Sequence, residues 1–318
     1  MDLSGLIADG YRFYKKPTHG EVDCSDMRPL ENHLWYLADV FSDLQAQRLL
    51  SVGGSTDTGT IERERIEQWL RVAASLQLVD VDMSYHAPDV RLCGRASEHY
   101  SAASDLTSAY ATEYTRLLYS WSAIERLLKL LDLPNLPLFP GHGKVAGTWN
   151  KATYFLAQHW RGEPLEHYVC TVNHLRRHVE QDESLKSNKR LVGKFAARPW
   201  RPAVGVLLAV ANELRNTPAH GDLSIPGPIT WGEEQSSALP AALHVPRLAV
   251  RGLLFSLQML VEAVVEPEDY WLEQAQPLDG WWARKDSGKW HRTDSPRSVI
   301  RSAHLQPPID EGYEGEDE

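Results

Sequence analysis

The segment RPAVGVLLAVANELRN, residues 201 to 216, constrains the fold more than any other stretch of the chain. From Ala203 to Ala211 it carries no polar side chain, and Asn212 and Glu213 arrive only near its end. A helix that is apolar all round is stable in water only when other helices cover it, so the rest of the chain must supply that cover. Helical spacing of apolar residues does so in several places. Leu30, Leu34, Leu37, Val40, Phe41 and Leu44 stripe one helix, ended by Gly53 and Gly54. Ile61, Ile66, Trp69, Leu70 and Val72 stripe a second, with Thr60 as its cap. From Ser104 onward, Leu117, Leu118, Trp121, Ile124, Leu127, Leu128 and Leu131 follow the same period until Asp132, Pro134 and Pro137 stop it. Another helix is expected over residues 164–181, and a long last one from Val245 to before Pro267, striped by Leu248, Leu253, Leu254, Leu257, Leu260 and Val261. The expected fold class is mainly α. Between Val79 and Tyr100 the pattern is lost, and VDVDMSYHAPDVRLCG alternates briefly as a strand does while reading equally well as a long connection.

The polar end of the apolar segment is the second constraint, because it is placed beside a core and not on open surface. It reads ELRNTPAHGD, residues 213 to 222, and holds Arg215, Asn216 and His220 in the pattern R-N-x-x-x-H. On a straight helix residues advance by about 100°, so Asn216 and His220 project within about 40° of each other while Arg215 and His220 differ by about 140°. Pro218 lacks an amide hydrogen and clashes with the carbonyl four residues back, so the helix is expected to kink or end inside the motif, with Gly221 supplying a permissive turn.

The motif and its helical setting resemble the HEPN superfamily, whose enzymes are mostly metal-independent ribonucleases. The resemblance covers residues from about 104 to 265, since YSWSAIERLLKLL looks like the family's earlier helix, with Glu125 where many members keep a polar group. It implies a HEPN-like helical bundle and a site of Arg215, Asn216 and His220 supported by Glu125. It also implies cleavage by the RNA's own 2′-hydroxyl to 2′,3′-cyclic phosphate and 5′-hydroxyl ends, with no cofactor or metal. The residue types suit this chemistry. Histidine transfers a proton near neutral pH, arginine offers phosphate a planar donor fork, and Asn216 orients either partner. Related enzymes dimerise to complete the site, so a homodimer is implied, together with an RNA substrate and a role as a toxin or antiviral defence effector. An inhibitor or sensor protein is a further candidate partner. The alternative is a non-catalytic module that dimerises or holds RNA or a nucleotide at Arg215 without cutting it.

Charge narrows the RNA surface. The chain carries 33 Lys and Arg against 43 Asp and Glu, a net charge of −10, which excludes a protein that coats nucleic acid along its whole surface. Between His174 and Arg201, however, Arg176, Arg177, Lys186, Lys189, Arg190, Lys194, Arg198 and Arg201 outnumber Glu180, Asp182 and Glu183. Of these, Arg190, Lys194, Arg198 and Arg201 are the candidate RNA-binding residues.

Four regions are expected: a helical N-terminal region over 1–100 as a candidate regulatory unit, the HEPN-like domain over 101–267, a Trp-rich extension over 268–305, and an acidic disordered tail over 306–318. In the extension, GWWARKDSGKWHRT sets Trp281, Trp282, Arg284 and Trp290 around Asp286, Ser287 and Gly288, which is good hairpin chemistry. These tryptophans either pack onto helices or stack on bases. Competing chemistry is thin. Cys24, Cys93 and Cys170 form no metal or disulfide pattern. His142, His159, His167, His174 and His178 are dense, yet no HExxH follows, so no metal site is assigned. GHGK lacks the spacing of a phosphate loop. No apolar run reaches 18 residues and the N-terminus lacks the order of a signal peptide, so a cytoplasmic protein without membrane contact is expected.

Overall fold

The computed structural model of the chain describes residues 26–46, 56–85, 94–142, 144–160, 164–219, 241–265, 281–284, 290–293 and 296–306. Its elements are α1 (Leu30–Ala46), α2 (Thr56–Ser75), α3 (Gly94–Leu130), α4 (Thr148–His159), α5 (Tyr168–Gln181), α6 (Glu183–Ser187), α7 (Lys189–Val192), α8 (Val206–Ala219), α9 (Ala241–Glu262), β1 (Trp281–Arg284), β2 (Trp290–Thr293) and α10 (Pro296–Ser302). The fold is mainly α, as the periodicity predicts. Helix α8 is the apolar segment, and every residue from Val206 to Ala211 is inaccessible to solvent. Helix α9 packs against α8, α3 and α5, helices α3 and α4 also contact α8, and α2 lies on α3 with α1 packed on α2 and α9. One continuous apolar cluster runs from Leu30 of α1 to Ala303 beyond α10. Among the described residues no helix is long and apolar enough to cross a membrane.

Several elements differ from the sequence expectation for identifiable reasons. Helix α2 begins at Thr56, so Thr60 lies within it and is not its cap. Val72 and Leu118 were counted in apolar stripes, yet they are 44% and 46% exposed, because each stripe is wider than the face its helix buries. Helix α9 begins at Ala241, which leaves Pro246 inside it instead of at its first turn. Helix α4 had no counterpart in the periodicity, because it buries small and polar side chains, Asn150, Ala152 and Thr153, beside Leu156. Its close approach to the start of α8 depends on Gly205, where an added Cβ would stand 2.7 Å from the Thr153 Cβ. The basic stretch forms short helices capped by Asp182 and Asn188, whose side chains accept from Leu185 N and from Arg190 N and Leu191 N.

Helix α3 starts at Gly94, ten residues ahead of the apolar stripe, and passes through the position near 100 where the composition changes. What holds its first half is polar. Residues 76–82 run extended along it, and the amides of Val79, Val81 and Met83 donate to Thr112 Oγ1 (2.8 Å), Ser108 Oγ (2.9 Å) and Ser104 Oγ (3.0 Å). Two residues of extended chain advance about 6.6 Å and four residues of helix about 6 Å, so amides spaced by two meet hydroxyls spaced by four. The strand-like alternation of VDVDM is therefore real, but its partner is a helix face of hydroxyls and not another strand.

The expected hairpin forms, with Trp281 opposite Thr293 and Arg284 opposite Trp290. The side chains of Trp281, Trp282, Arg284 and Trp290, together with Gly53, Gly54, Cys24, Cys93 and residues 307–318, lie outside the described set. Cys170 is buried and forms no disulfide among the described residues.

Polar groups also tie the helices together. Arg116, 3% exposed, donates to the carbonyls of Ala73 (3.2 Å) and Leu76 (2.7 Å) at the end of α2. Arg247 of α9 bridges Glu113 of α3 (2.8 Å) and Glu31 of α1 (3.0 Å). His33 is fully buried between Gln258 Oε1 (3.0 Å) and Arg251 Nη1 (2.8 Å), and burial, followed by the Arg251 charge, holds it well below the usual histidine range. Burial, then the neighbouring His244, Arg177 and His174, pushes His178 down to about 4. Both groups titrate lower in the folded chain than unfolded, so the unfolded chain binds protons that the folded chain refuses. Stability is therefore full above about pH 6.5 and falls as pH drops towards 4. Melting temperatures measured from pH 7.5 to 4.5 are expected to decline through this window, and His178→Gln is expected to flatten the decline.

Candidate active site

Helix α8 leaves the core at its C-terminal end. Leu214 and Thr217 remain buried, and Arg215 and Asn216 come part-way into solvent on the turn between them. The last turn is closed by Thr217 Oγ1 donating to the Glu213 carbonyl at 2.9 Å. Within the described residues α8 stays helical through Pro218 to Ala219. His220 itself lies outside the described residues.

Helix α3 supplies the facing side. Trp121 and Glu125 are four residues apart and share a face, and Trp121 Nε1 donates to Glu125 Oε1 at 2.7 Å. The same oxygen accepts from Arg215 Nη1 at 2.7 Å, across 90 residues of sequence. The guanidinium of Arg215 lies over the Trp121 ring, 4.9 Å from its centre, and Arg215 Nε donates to Asn216 Oδ1 at 3.2 Å. Arg215 is thus held from three directions: an aromatic face, a carboxylate and its neighbouring amide. Its side chain is 31% exposed and that of Glu125 52%, so the ion pair contributes only about 0–1 kcal/mol to stability. Its consequence is a fixed guanidinium at the protein surface.

The sequence-predicted residues are therefore brought together in part. Arg215, Asn216 and Glu125 meet. Lys194 pairs with Glu213, two residues before Arg215 on α8, at 3.2 Å and is set over the Trp149 ring at 4.4 Å, so a carboxylate already offsets its charge. Arg190 and Arg198 are exposed on the short helices and the turn after them. Arg201 is a correction. It is 4% exposed and its guanidinium points inward, donating to the carbonyls of Ala196 (2.7 and 3.1 Å) and Gly193 (2.9 Å). Burial, with the Arg198 charge second, lowers it to about 10, which still leaves it charged at neutral pH. It organises the basic turn from inside and does not face RNA. Periodicity places Trp121 in the core stripe and assigns Trp149 no role; the i, i+4 spacing of Trp121 and Glu125 is the sequence signal for the first.

No family model matches the sequence, and neither a curated protein nor a solved structure matches it significantly. The fold and site define a mainly α protein with an arginine clamped at the end of its central helix.

Proposed function

We propose that the chain is an endoribonuclease that uses the RNA 2′-hydroxyl as nucleophile and needs no metal ion or cofactor at the reacting phosphate. The observation that supports this is the clamp on Arg215. A guanidinium fixed by Trp121, Glu125 and Asn216 at the end of α8 is a preorganised donor for charge that develops on a phosphate. In the proposed reaction the 2′-oxygen forms a bond to phosphorus and the bond from phosphorus to the 5′-oxygen breaks. His220 takes the 2′-hydroxyl proton, Arg215 holds the non-bridging oxygens, and Asn216 orients the arginine. A proton must reach the leaving 5′-oxygen, and a second copy of the site in a homodimer supplies a second His220 for that step. The resemblance of the motif to the HEPN superfamily points to the same reaction, in a cytoplasmic toxin or antiviral effector restrained by a sensor or inhibitor. The direct test is incubation of the purified full chain with end-labelled RNA in EDTA, with analysis of the 3′ ends and a melting curve in the same buffer. Cyclic phosphate ends support the reading, and intact RNA counts against it.

One observation favours the binding module instead: Glu125 occupies Nη1 of the arginine that a phosphate would use. Replacement by glutamine separates the two readings. Glu125→Gln retains an oxygen able to accept from Arg215 and Trp121 but removes a negative charge beside the phosphate. RNA binding is expected to tighten several-fold, by roughly 1 kcal/mol, as measured by filter binding at fixed salt. Tighter binding with proportionally faster cleavage fits the nuclease, and tighter binding without any cleavage fits the module.

A further inference from the structure

We propose a second site, remote from Arg215, at which Asp26, Glu166 and His167 bind a divalent transition-metal ion of the zinc class. One carboxylate oxygen from each acid and a ring nitrogen of His167 lie within 4.8 Å of one another. They come from two distant parts of the chain: Asp26 precedes α1, and Glu166 and His167 form the turn that starts α5. Ligand atoms about 2.1 Å from one ion are no more than about 4.2 Å apart, a small closure from this spacing. Glu166 is exposed and has the freedom to make it.

Two features point to a ligand and not to a simple ion pair. His167 Nε2 and Asp26 Oδ1 are only 2.8 Å apart and both are buried, yet the contact misses hydrogen-bond geometry. Independently, His304 is fully buried, edge-on to the His167 ring with centres 6.4 Å apart. Its Nδ1 faces the Gln258 amide at 3.3 Å, while its Nε2, buried toward the Glu166 backbone, completes no hydrogen bond of good geometry. A buried imidazole nitrogen without such a bond is costly unless a further group at the site compensates it.

The donor set selects the ion. One imidazole with two carboxylates suits zinc and its first-row neighbours, whereas calcium and magnesium take oxygen alone. Three protein ligands leave a position for water. The site sits where the ends of the described chain meet: Gln306 N donates to the Asp26 carbonyl (2.7 Å), Arg28 N to the His304 carbonyl (2.9 Å), and Met27 bridges Leu305. A bound ion would clasp both segments to α5. The neighbouring Tyr168 hydroxyl accepts from Leu207 N at the start of α8, eight residues and about 12 Å of helix before Arg215.

The test uses the full chain, stripped with chelator and dialysed against Zn²⁺ alone, with bound zinc counted by mass spectrometry and the melting temperature read in parallel. Wild type is expected to hold one zinc that Asp26→Asn, His167→Gln and Glu166→Gln each bind roughly tenfold more weakly or worse. Zinc is expected to raise the melting temperature of the wild type and not of these variants. Glu166→Gln alters an exposed side chain and keeps the test valid if a buried variant fails to fold. His178→Gln, which removes a histidine stacked on His244, is expected to retain the ion. Absence of zinc binding by the wild type, unchanged affinity in Glu166→Gln, or loss of the ion in His178→Gln would each overturn the proposal.

Discussion

Arg215→Ala is expected to slow RNA cleavage by about 10²–10³-fold while leaving the folded chain intact. Deleting one preorganised donor to developing charge costs on that order. The structural cost is small by comparison. The side chain is 31% exposed, its pair with Glu125 is a surface contact, and its stacking on Trp121 contributes about 0.5–1 kcal/mol. Trp121 keeps its own bond to Glu125 after the substitution. Arg215→Lys is expected to recover little of the lost rate, since an ammonium cannot contact Glu125, Asn216 and a phosphate from one rigid plane. His220→Ala is expected to lose about 10²–10⁴-fold, the range of a general base or acid. Single-turnover cleavage of end-labelled RNA with melting curves for each variant reads both quantities. Parallel loss of rate and melting temperature would instead make Arg215 a structural residue of the α3 and α8 contact.

Arg201→Ala is expected to destabilise the chain by about 2–4 kcal/mol, a loss readable by urea denaturation. The side chain is buried and bonds two carbonyls, those of Ala196 and Gly193, which hold the turn between α7 and α8 in shape. Truncation leaves both acceptors without their donor, and each unsatisfied acceptor costs about 1–3 kcal/mol. The turn it supports enters the start of α8 through Gly205, packed on Thr153, and Thr153 Oγ1 donates to the Trp200 carbonyl at 2.8 Å. Damage is therefore expected to spread to the central helix. Arg190→Ala is the contrast, because that side chain is exposed and its removal is expected to leave stability within about 0.5 kcal/mol. Equal stability of the two variants would show that the inward bonds of Arg201 are not what holds the turn.

Sequence reading recovered the helices whose buried residues are large and regularly spaced. Helices α1, α3, α8 and α9 were legible because Leu, Ile, Val and Phe recur at a turn's spacing, and α8 was placed at the centre because it has no polar face. Helix α4, and what the hydroxyl face of α3 packs against, were not legible. Their contacts are made by Thr153, Ser104, Ser108 and Thr112, and a hydroxyl reads the same whether it faces water or a backbone amide. The site divided the same way. Arg215 and Asn216 stood out as polar residues ending an apolar helix, and Glu125 as a polar group in the earlier one.

The amino-acid sequence by itself determined that the chain folds as helices around α8 and that Arg215 and Asn216 come to the edge of its core. Only the tertiary structure decided that Glu125 and Trp121 clamp Arg215, that Glu213 takes Lys194, and that Arg201 turns inward. The physical reason is that periodicity reports which way a side chain points from its own helix, through the repeat of the backbone. What it then meets, water, a carbonyl or an opposite charge, depends on a neighbouring element that local sequence does not specify.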